Sequence, residues 1–122
     1  MLAGNFYKIV QEQSTTGNRT VTIELNAGHA IFGGHFPGQP VVPGVCMMQI
    51  IQELLEGALG KKAVLQKAAN MKFLNMIDPV QQPLADVALQ YAEEGDQVKV
   101  TATIKRDDKV FLKFQGIFRV EM

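Results

Sequence analysis

Residues 33 to 44 combine one histidine with a high density of glycine and proline. Glycine lets the backbone approach a ligand closely, and proline fixes φ, so together they predict a rigid, tightly turned segment. A side chain that transfers a proton needs such a frame, because acid or base catalysis depends on geometry set in advance. We therefore select His35 as a candidate catalytic residue. His29 has no such frame and is interpreted as an ordinary surface or packing residue.

A long apolar stretch with helical spacing follows this segment. Only a few polar side chains interrupt residues 45 to 59, namely Gln49, Gln52, Glu53 and Glu56. The pattern predicts a helix that is buried on most of its faces. Gly60, followed by Lys61 and Lys62, is typical of a helix C-terminus, where cations meet the negative end of the helix dipole.

The rest of the chain alternates in the manner of β-strands. Residues 6 to 13 and 20 to 25 predict two strands joined by a turn, and residues 26 to 44 predict an ordered loop without a regular element. Residues 67–77, 84–91, 98–105 and 110–120 predict further strands, the last three forming an antiparallel meander. The fold class is therefore α+β: a single domain over residues 1–122, with a curved antiparallel sheet wrapped around one long central helix.

Composition narrows the functional classes. Twelve basic and twelve acidic residues balance, so no global field attracts nucleic acid or an anionic membrane. Cys46 is the single cysteine, which excludes an internal disulfide and argues against a cysteine-based metal site. The first residues lack a signal-peptide pattern, and no stretch is apolar for long enough to span a bilayer. We expect a cytoplasmic protein without a bound metal or membrane insertion.

The run from His35 to Val45, HFPGQPVVPGV, resembles the signature of the hot-dog-fold 3-hydroxyacyl-[acyl carrier protein] dehydratases. In that family H-F-P-G-x-P-x-x-P-G-V leads into the central helix. Met71-Lys72-Phe73 and Ile77-Asp78-Pro79-Val80 are similar to a later strand of the family and to its proline-containing end. The resemblance extends over most of the chain, from about Val21 to Val120.

The resemblance implies a hot-dog fold and a homodimer with two composite sites at its interface, which in such enzymes can stack into a trimer of dimers. His35 would remove a proton from C2 of a 3-hydroxyacyl thioester, yielding the trans-2-enoyl thioester in fatty acid or related lipid or polyene biosynthesis. No cofactor is implied beyond the phosphopantetheine of acyl carrier protein or coenzyme A that carries the substrate. The N–H groups near Gly44 would polarise the thioester carbonyl, a role that a helix N-terminus can supply independently. The implied substrate-binding residues are Phe36, Pro37, Gly38, Pro43, Gly44, Val45, Met48, Lys72 and Phe73.

One position departs from the family pattern. Fourteen residues after the histidine the family has Glu or Asp, whereas this chain has Gln49. Four residues later, where the family usually has Gln, this chain has Glu53. A carboxamide can hold a hydroxyl group by a hydrogen bond but cannot exchange a proton as a carboxyl group does. The exchange moves the carboxyl group by roughly 6 Å along the helix while keeping it on the same face.

Three functional interpretations follow from this exchange. In the first, His35 acts with Gln49 and with Glu53 as the displaced acid, and dehydration continues with altered geometry. In the second, the protein is a hot-dog thioesterase in which a carboxylate activates water. In the third, the chain has lost its chemistry and binds an acyl chain or serves as the inactive half of a heterodimer. For Glu53 itself, a solvated or salt-bridged helix residue is the alternative.

Two further groups of residues could contact the substrate or its carrier. An acidic carrier protein would favour a basic site mouth, for which the candidates are Lys61, Lys62, Lys67, Lys72, Lys105 and Arg106. Methionines 47, 48, 71 and 76 could line a flexible acyl tunnel, although we interpret them as ordinary core residues.

Overall fold

The computed structural model describes residues 2–34 and 40–120. Six strands form one antiparallel sheet, and one long helix packs against it. The strands are β1 (Tyr7–Thr15), β2 (Asn18–Leu25), β3 (Ala63–Phe73), β4 (Leu84–Glu94), β5 (Gln97–Arg106) and β6 (Lys109–Val120), and the helices are α1 (Ile31–Gly34) and α2 (Gly44–Leu59). Across the sheet the strand order is β1-β2-β4-β5-β6-β3, which confirms the predicted meander of the last three strands.

Helix α2 and the inner face of the sheet enclose the core. Alternate residues of β4, β5 and β6 point inward, where they form one cluster with Ile50, Ile51 and Leu55 of α2. Three phenylalanines of β6 (Phe111, Phe114 and Phe118) supply the largest buried side chains of the strands. The helix ends at Gly60, whose φ of 72° is left-handed and whose N–H donates to the Glu56 carbonyl at 2.8 Å. The predicted wrapped helix is confirmed.

The structure corrects two boundaries. The segment predicted to lack a regular element contains the single helical turn α1, which the buried ring of Phe32 anchors against Phe6 at a centroid distance of 5.3 Å. Strand β3 begins and ends four residues earlier than predicted. Beyond Ala63 its side chains are exposed on both faces, so the burial that produces a period of two is absent.

Strand β3 is an edge strand. It pairs with β6 on one side only, and the described residues place no strand on its other side. Several large apolar side chains on β3 and after it are exposed, including Val64, Met71, Phe73, Leu74 and Met76. Edges of this length and apolar character are usually covered in the assembled protein, because they otherwise promote aggregation. In the described residues, no helix has the length and hydropathy needed to cross a bilayer.

Gly116 holds β6 and β3 together at a bulge. A Cβ at this position would overlap the Lys67 carbonyl oxygen and lie 2.7 Å from the Phe114 ring. Gly116→Ala should therefore lower the free energy of unfolding by about 2 kcal/mol, because neither the backbone nor the buried ring has room to move. Urea denaturation measures the change, and Gly33→Ala is the matched control, since its Cβ would meet no atom of residues 2–34 and 40–120 within 4 Å. Equal stability of the two variants would contradict this account of the bulge.

Candidate functional site

The sequence motif falls partly outside the described residues. His35, Phe36, Pro37 and Gly38 lie outside them, so their predicted roles remain predictions. The second half of the motif is described and leads directly into α2, as the sequence analysis anticipated. The site is therefore built from the helix start and from the side chains that surround it.

The first turn of α2 presents backbone donors. Pro43 is the N-cap residue in an extended conformation, and its carbonyl accepts from Cys46 N at 3.0 Å and from Met47 N at 3.2 Å. The N–H groups of Gly44 and Val45 have no acceptor among the described residues. Val45 also leaves its side chain 77% exposed. Two free donors at the positive end of a four-turn helix can stabilise negative charge on a carbonyl oxygen.

An apolar pocket of about 630 Å³ opens beside this helix start. Val42, Pro43, Gly44, Met47, Phe73 and Met76 are among the residues that line it. The Phe73 ring lies against Gly44 so closely that a Cβ on the glycine would be 3.0 Å from the ring. Pro43, Gly44 and Phe73, all predicted from the resemblance, thus lie together.

Other predicted residues lie elsewhere. Met48 is half-buried against the core and does not line this pocket, whereas Lys72 stands opposite Lys113 of β6 on the outer face of the sheet. The prediction that all four methionines are core residues is right for Met47 but wrong for Met71 and Met76, which are exposed because they lie on the edge strand β3 and just after its end. Sequence reasoning assigned Leu74 no role, yet it lines the pocket. Its position directly after Phe73 was the available signal.

Glu53 is buried, with 6% of its surface exposed, and its carboxylate is fully engaged. One oxygen, Oε2, accepts from the Leu2 backbone N–H at 2.7 Å and from Gln49 Nε2 at 3.0 Å. The other, Oε1, accepts from the Ala3 backbone N–H and from the Tyr7 hydroxyl, both at 3.0 Å. The alternative of a solvated helix residue is therefore wrong for Glu53, because the N-terminal segment folds over it.

These contacts set the protonation state of the cluster. Burial by itself would raise the pKa of the Glu53 carboxyl, but the hydrogen bonds from Leu2, Gln49, Ala3 and Tyr7 together outweigh it and lower that pKa. Burial and the neighbouring Glu53 charge raise the pKa of the Tyr7 hydroxyl, which therefore stays protonated as a donor. At neutral pH Glu53 is an anion with no proton to give. This geometry does not favour Glu53 as the displaced acid.

The same contact fixes the orientation of Gln49. A carboxylate can only accept hydrogen bonds, so the Gln49 atom that faces Glu53 must be the NH₂ group. The free atom of the carboxamide is then Oε1, which can accept a hydrogen bond but cannot donate one. Gln49 is half-buried, so this oxygen is available to a ligand that enters beside the helix. Its natural partner is a hydroxyl or an N–H group.

Several of the basic residues predicted for the site mouth are paired elsewhere. Lys61 lies 3.8 Å from Glu93, and Arg106 lies 3.4 Å from Asp86. Lys67 and Lys72 have no ion pair within the described part of the chain. In residues 2–34 and 40–120, no three His, Cys, Asp or Glu side chains gather in a way that could hold a metal ion.

Known proteins support the assignment of fold and family. The dehydratase FabZ of Clostridium acetobutylicum, a 3-hydroxyacyl-[acyl-carrier-protein] dehydratase, is 34% identical over 76 residues, which cover 56% of this chain but only 54% of that protein. The FabZ of Rickettsia bellii is 26% identical over 129 aligned positions, which cover 99% of this chain and 76% of the relative. The solved dehydratase heterocomplex ApeI:P from Xenorhabdus doucetiae superposes with a TM-score of 0.70 at 17% identity, covering 93% of this chain and 96% of the solved chain.

A curved antiparallel sheet around one long helix, which superposes on the solved ApeI:P complex, defines a hot-dog fold. The family model of the ApeI dehydratases matches residues 11–115, which include the motif, α2 and most of the sheet. The chain belongs to the ApeI-like dehydratase family.

Proposed function

We propose that this protein removes water from a 3-hydroxyacyl thioester to give the trans-2-enoyl thioester. The observation that carries the proposal is the N–H pair of Gly44 and Val45, which has no acceptor among the described residues and lies beside the apolar pocket. Those donors suit the thioester carbonyl, and the pocket suits its acyl chain. The FabZ relatives act on substrates held by acyl carrier protein, and we extend that carrier, with its phosphopantetheine arm, to this chain. The chemistry proposed here calls on no further cofactor.

The proposed mechanism needs one acid–base group. The imidazole of His35 takes a proton from C2, and the resulting enolate oxygen is held by the N–H groups of Gly44 and Val45. Gln49 Oε1 accepts the hydrogen of the 3-hydroxyl, which turns the lone pairs of that oxygen toward the imidazolium. His35 then returns its proton as the C3–O bond breaks, so that water leaves and the C2–C3 double bond forms. Glu53 acts as a positioning residue that orients Gln49 and does not exchange protons.

We further propose that two chains form the complete site. In the single chain, the edge of β3 and its apolar side chains are exposed to solvent. A second copy that paired along β3 would bury both. His35 of one chain would then meet Gln49 of the other, as in the family that the motif resembles. The similar solved complex is a heterocomplex, so an unlike partner is the competing arrangement. The molecular mass of the purified chain in solution distinguishes a homodimer from a monomer, and a monomer would favour assembly with an unlike partner.

Product analysis tests the proposed reaction. The purified protein is incubated with a 3-hydroxyacyl thioester, and enoyl absorbance and free thiol are followed together. We expect enoyl product without thiol. Thiol release alone would favour the thioesterase interpretation, and absence of both from a dimeric preparation would favour the inactive, acyl-binding interpretation.

Gln49→Glu tests the role of a single acid–base group. The wild-type pH profile of kcat/KM should show one ionisation, that of the histidine, because no second group exchanges a proton. In the variant two carboxyl groups lie about 3 Å apart, so they share a proton and one pKa rises strongly. We expect a bell-shaped profile in the variant, together with reduced stability above pH 7 that recovers near pH 5. A bell-shaped profile in the wild type would contradict the proposed mechanism.

A further inference from the structure

Charge is distributed very unevenly over this electrically neutral chain. The neighbouring strands β5, β6 and β3 contain no Asp or Glu. They carry eight of the twelve basic residues, which are Lys67, Lys72, Lys99, Lys105, Arg106, Lys109, Lys113 and Arg119. Positive charge is therefore concentrated on these three strands even though the net charge is zero, and only Lys99 and Arg106 of the eight pair with acidic side chains among the described residues.

Strand register orders the outer face into rows. Residues directly opposite each other in paired strands point to the same side of the sheet. One row crosses five strands and consists of uncharged hydrogen-bonding side chains: Asn18, Gln90, Thr101, Gln115 and Asn70. We call this row the amide ladder. Four of its members, Asn18, Gln90, Thr101 and Gln115, line an open groove of about 810 Å³, and Thr16 and Gly17 of the β1–β2 turn line one end of it.

Cations flank the amide ladder on both sides. The next row in one direction contains Lys72 opposite Lys113, and the next row in the other direction contains Lys67 and Lys99 on either side of Ile117. Like charges placed directly opposite each other, as in Lys72 and Lys113, destabilise a sheet pair. An anionic partner lying in the groove would relieve that repulsion.

The groove has the dimensions of an α-helix. Rows on one face are about 6.8 Å apart along a strand, so the two cationic rows lie roughly 13 Å apart, and a helix is about 10–12 Å wide. The ladder crosses four strand spacings, or roughly 19 Å, which corresponds to about 13 helical residues. Ala92 and Ile117 add some apolar surface along the flank that contains Lys99.

We propose that this groove docks an acidic amphipathic α-helix of the partner that delivers the substrate. This inference rests on the proposed function, under which that partner is an acyl carrier protein. Acidic side chains on both flanks of the helix would face the two cationic rows, and its central stripe would lie on the amide ladder. A second copy of this chain does not fit the groove, because it would bring the same positive face into contact.

The position of the groove suits delivery to the candidate site. Ala69, which lines the groove, and Phe73, which lines the apolar pocket, are on the same strand, four residues or roughly 13 Å apart. A carrier seated in the groove would therefore lie next to the edge at which the pocket opens. The predicted basic mouth is thereby relocated: Lys113 joins Lys67 and Lys72, whereas Lys61, Lys99 and Arg106 each pair with a nearby acidic side chain.

Charge reversal at two flanking lysines tests the docking surface. Lys67 and Lys113 lie on opposite flanks, and neither has an ion pair within the described residues. In Lys67→Glu/Lys113→Glu, KM for a 3-hydroxyacyl group on a bacterial acyl carrier protein should rise about 10- to 100-fold at low salt, and less at high salt. The rate with the same acyl group on N-acetylcysteamine should not change, because this small thioester does not use the groove.

Lys109→Glu serves as the matched control, since it reverses an exposed cation on β6 that lies six residues, or roughly 20 Å, from the ladder. It should leave KM for the carrier substrate within twofold of wild type. Equal effects of the control and the double variant would overturn the groove. The proposed docking surface would also be overturned if the protein bound single-stranded RNA more tightly than the carrier. The same conclusion would follow if the protein self-associated and the double variant abolished that self-association.

Failure of the proposed function is recognised separately. Binding of the acyl carrier protein without its acyl group is measured by calorimetry, which requires no turnover. Binding that the double variant weakens, without enoyl formation on either substrate, would support the groove and reject the dehydratase. Turnover of both substrates with no loss in the double variant would support the dehydratase and reject the groove.

Discussion

His35→Ala is expected to lower kcat/KM for enoyl thioester formation about a thousandfold, which is within the usual contribution of a general acid–base group. In the proposed mechanism this imidazole both removes the C2 proton and returns it to the leaving hydroxyl. With Glu53 ionised and Gln49 unable to exchange protons, no neighbouring group near the helix start can replace it. Initial rates with a 3-hydroxyacyl thioester measure the loss.

His29→Ala provides the matched control on the same short segment of chain. His29 is half-buried, its Nδ1 accepts from the Ile31 N–H at 3.1 Å, and its ring meets Phe6 edge-on at 5.3 Å. Its replacement should cost about 1 kcal/mol of stability through lost packing and one lost hydrogen bond, while the rate per folded molecule stays within a few-fold of wild type. A larger loss of rate in His29→Ala than in His35→Ala would reverse the assignment of the two histidines.

Glu53→Ala is expected to lower the free energy of unfolding by about 3 kcal/mol. The carboxylate accepts four hydrogen bonds, and hydrogen bonds to a charged group contribute about 1.5–3 kcal/mol each where no other partner replaces them. Water can reach the donors of Leu2 and Ala3 once the N-terminal segment loosens, so the full sum is not lost. Urea denaturation at pH 7 measures the difference.

Glu56→Ala is the control one turn along the same helix. Its carboxylate accepts one hydrogen bond, from the Ala63 N–H at 2.9 Å, so a loss of about 1 kcal/mol is expected. Similar losses in both variants would show that the network around Glu53 adds little. Glu53→Gln should lower kcat/KM about tenfold without changing the shape of the pH profile, because Gln49 loses its fixed orientation while the acid–base group remains.

The contribution of Glu53 to stability should also depend on pH in a defined direction. Its folded pKa lies below the unfolded value, so the stabilisation is fully present above the unfolded pKa. It is lost as pH falls through the folded pKa, because the unfolded chain then binds the proton first. The difference in stability between wild type and Glu53→Gln should therefore shrink in acid and stay constant from pH 6 to pH 8.

Local patterns in the sequence predicted most of the fold. The apolar run after Pro43 predicted α2 to within one residue, and alternation predicted β2 and β5 because each has one buried face. Turn signals at hairpin spacing on both sides of β5 then indicated β4 and β6 as its neighbours. The alternation rule failed at β3, whose side chains are exposed on both faces of an edge strand. Periodicity reports burial, so a strand whose two faces are both exposed gives no periodic signal.

The sequence by itself determined the motif around His35, the helix that follows it and the exchange of carboxyl and carboxamide at Gln49 and Glu53. It could not determine what Glu53 does, because three of the four donors to Glu53 come from residues 46 to 51 positions away in the chain. The outer groove likewise exists only once the register of five strands brings its side chains into rows. Spacing along the chain reveals local geometry, whereas long-range hydrogen bonds and strand register depend on which distant segments meet in the folded protein.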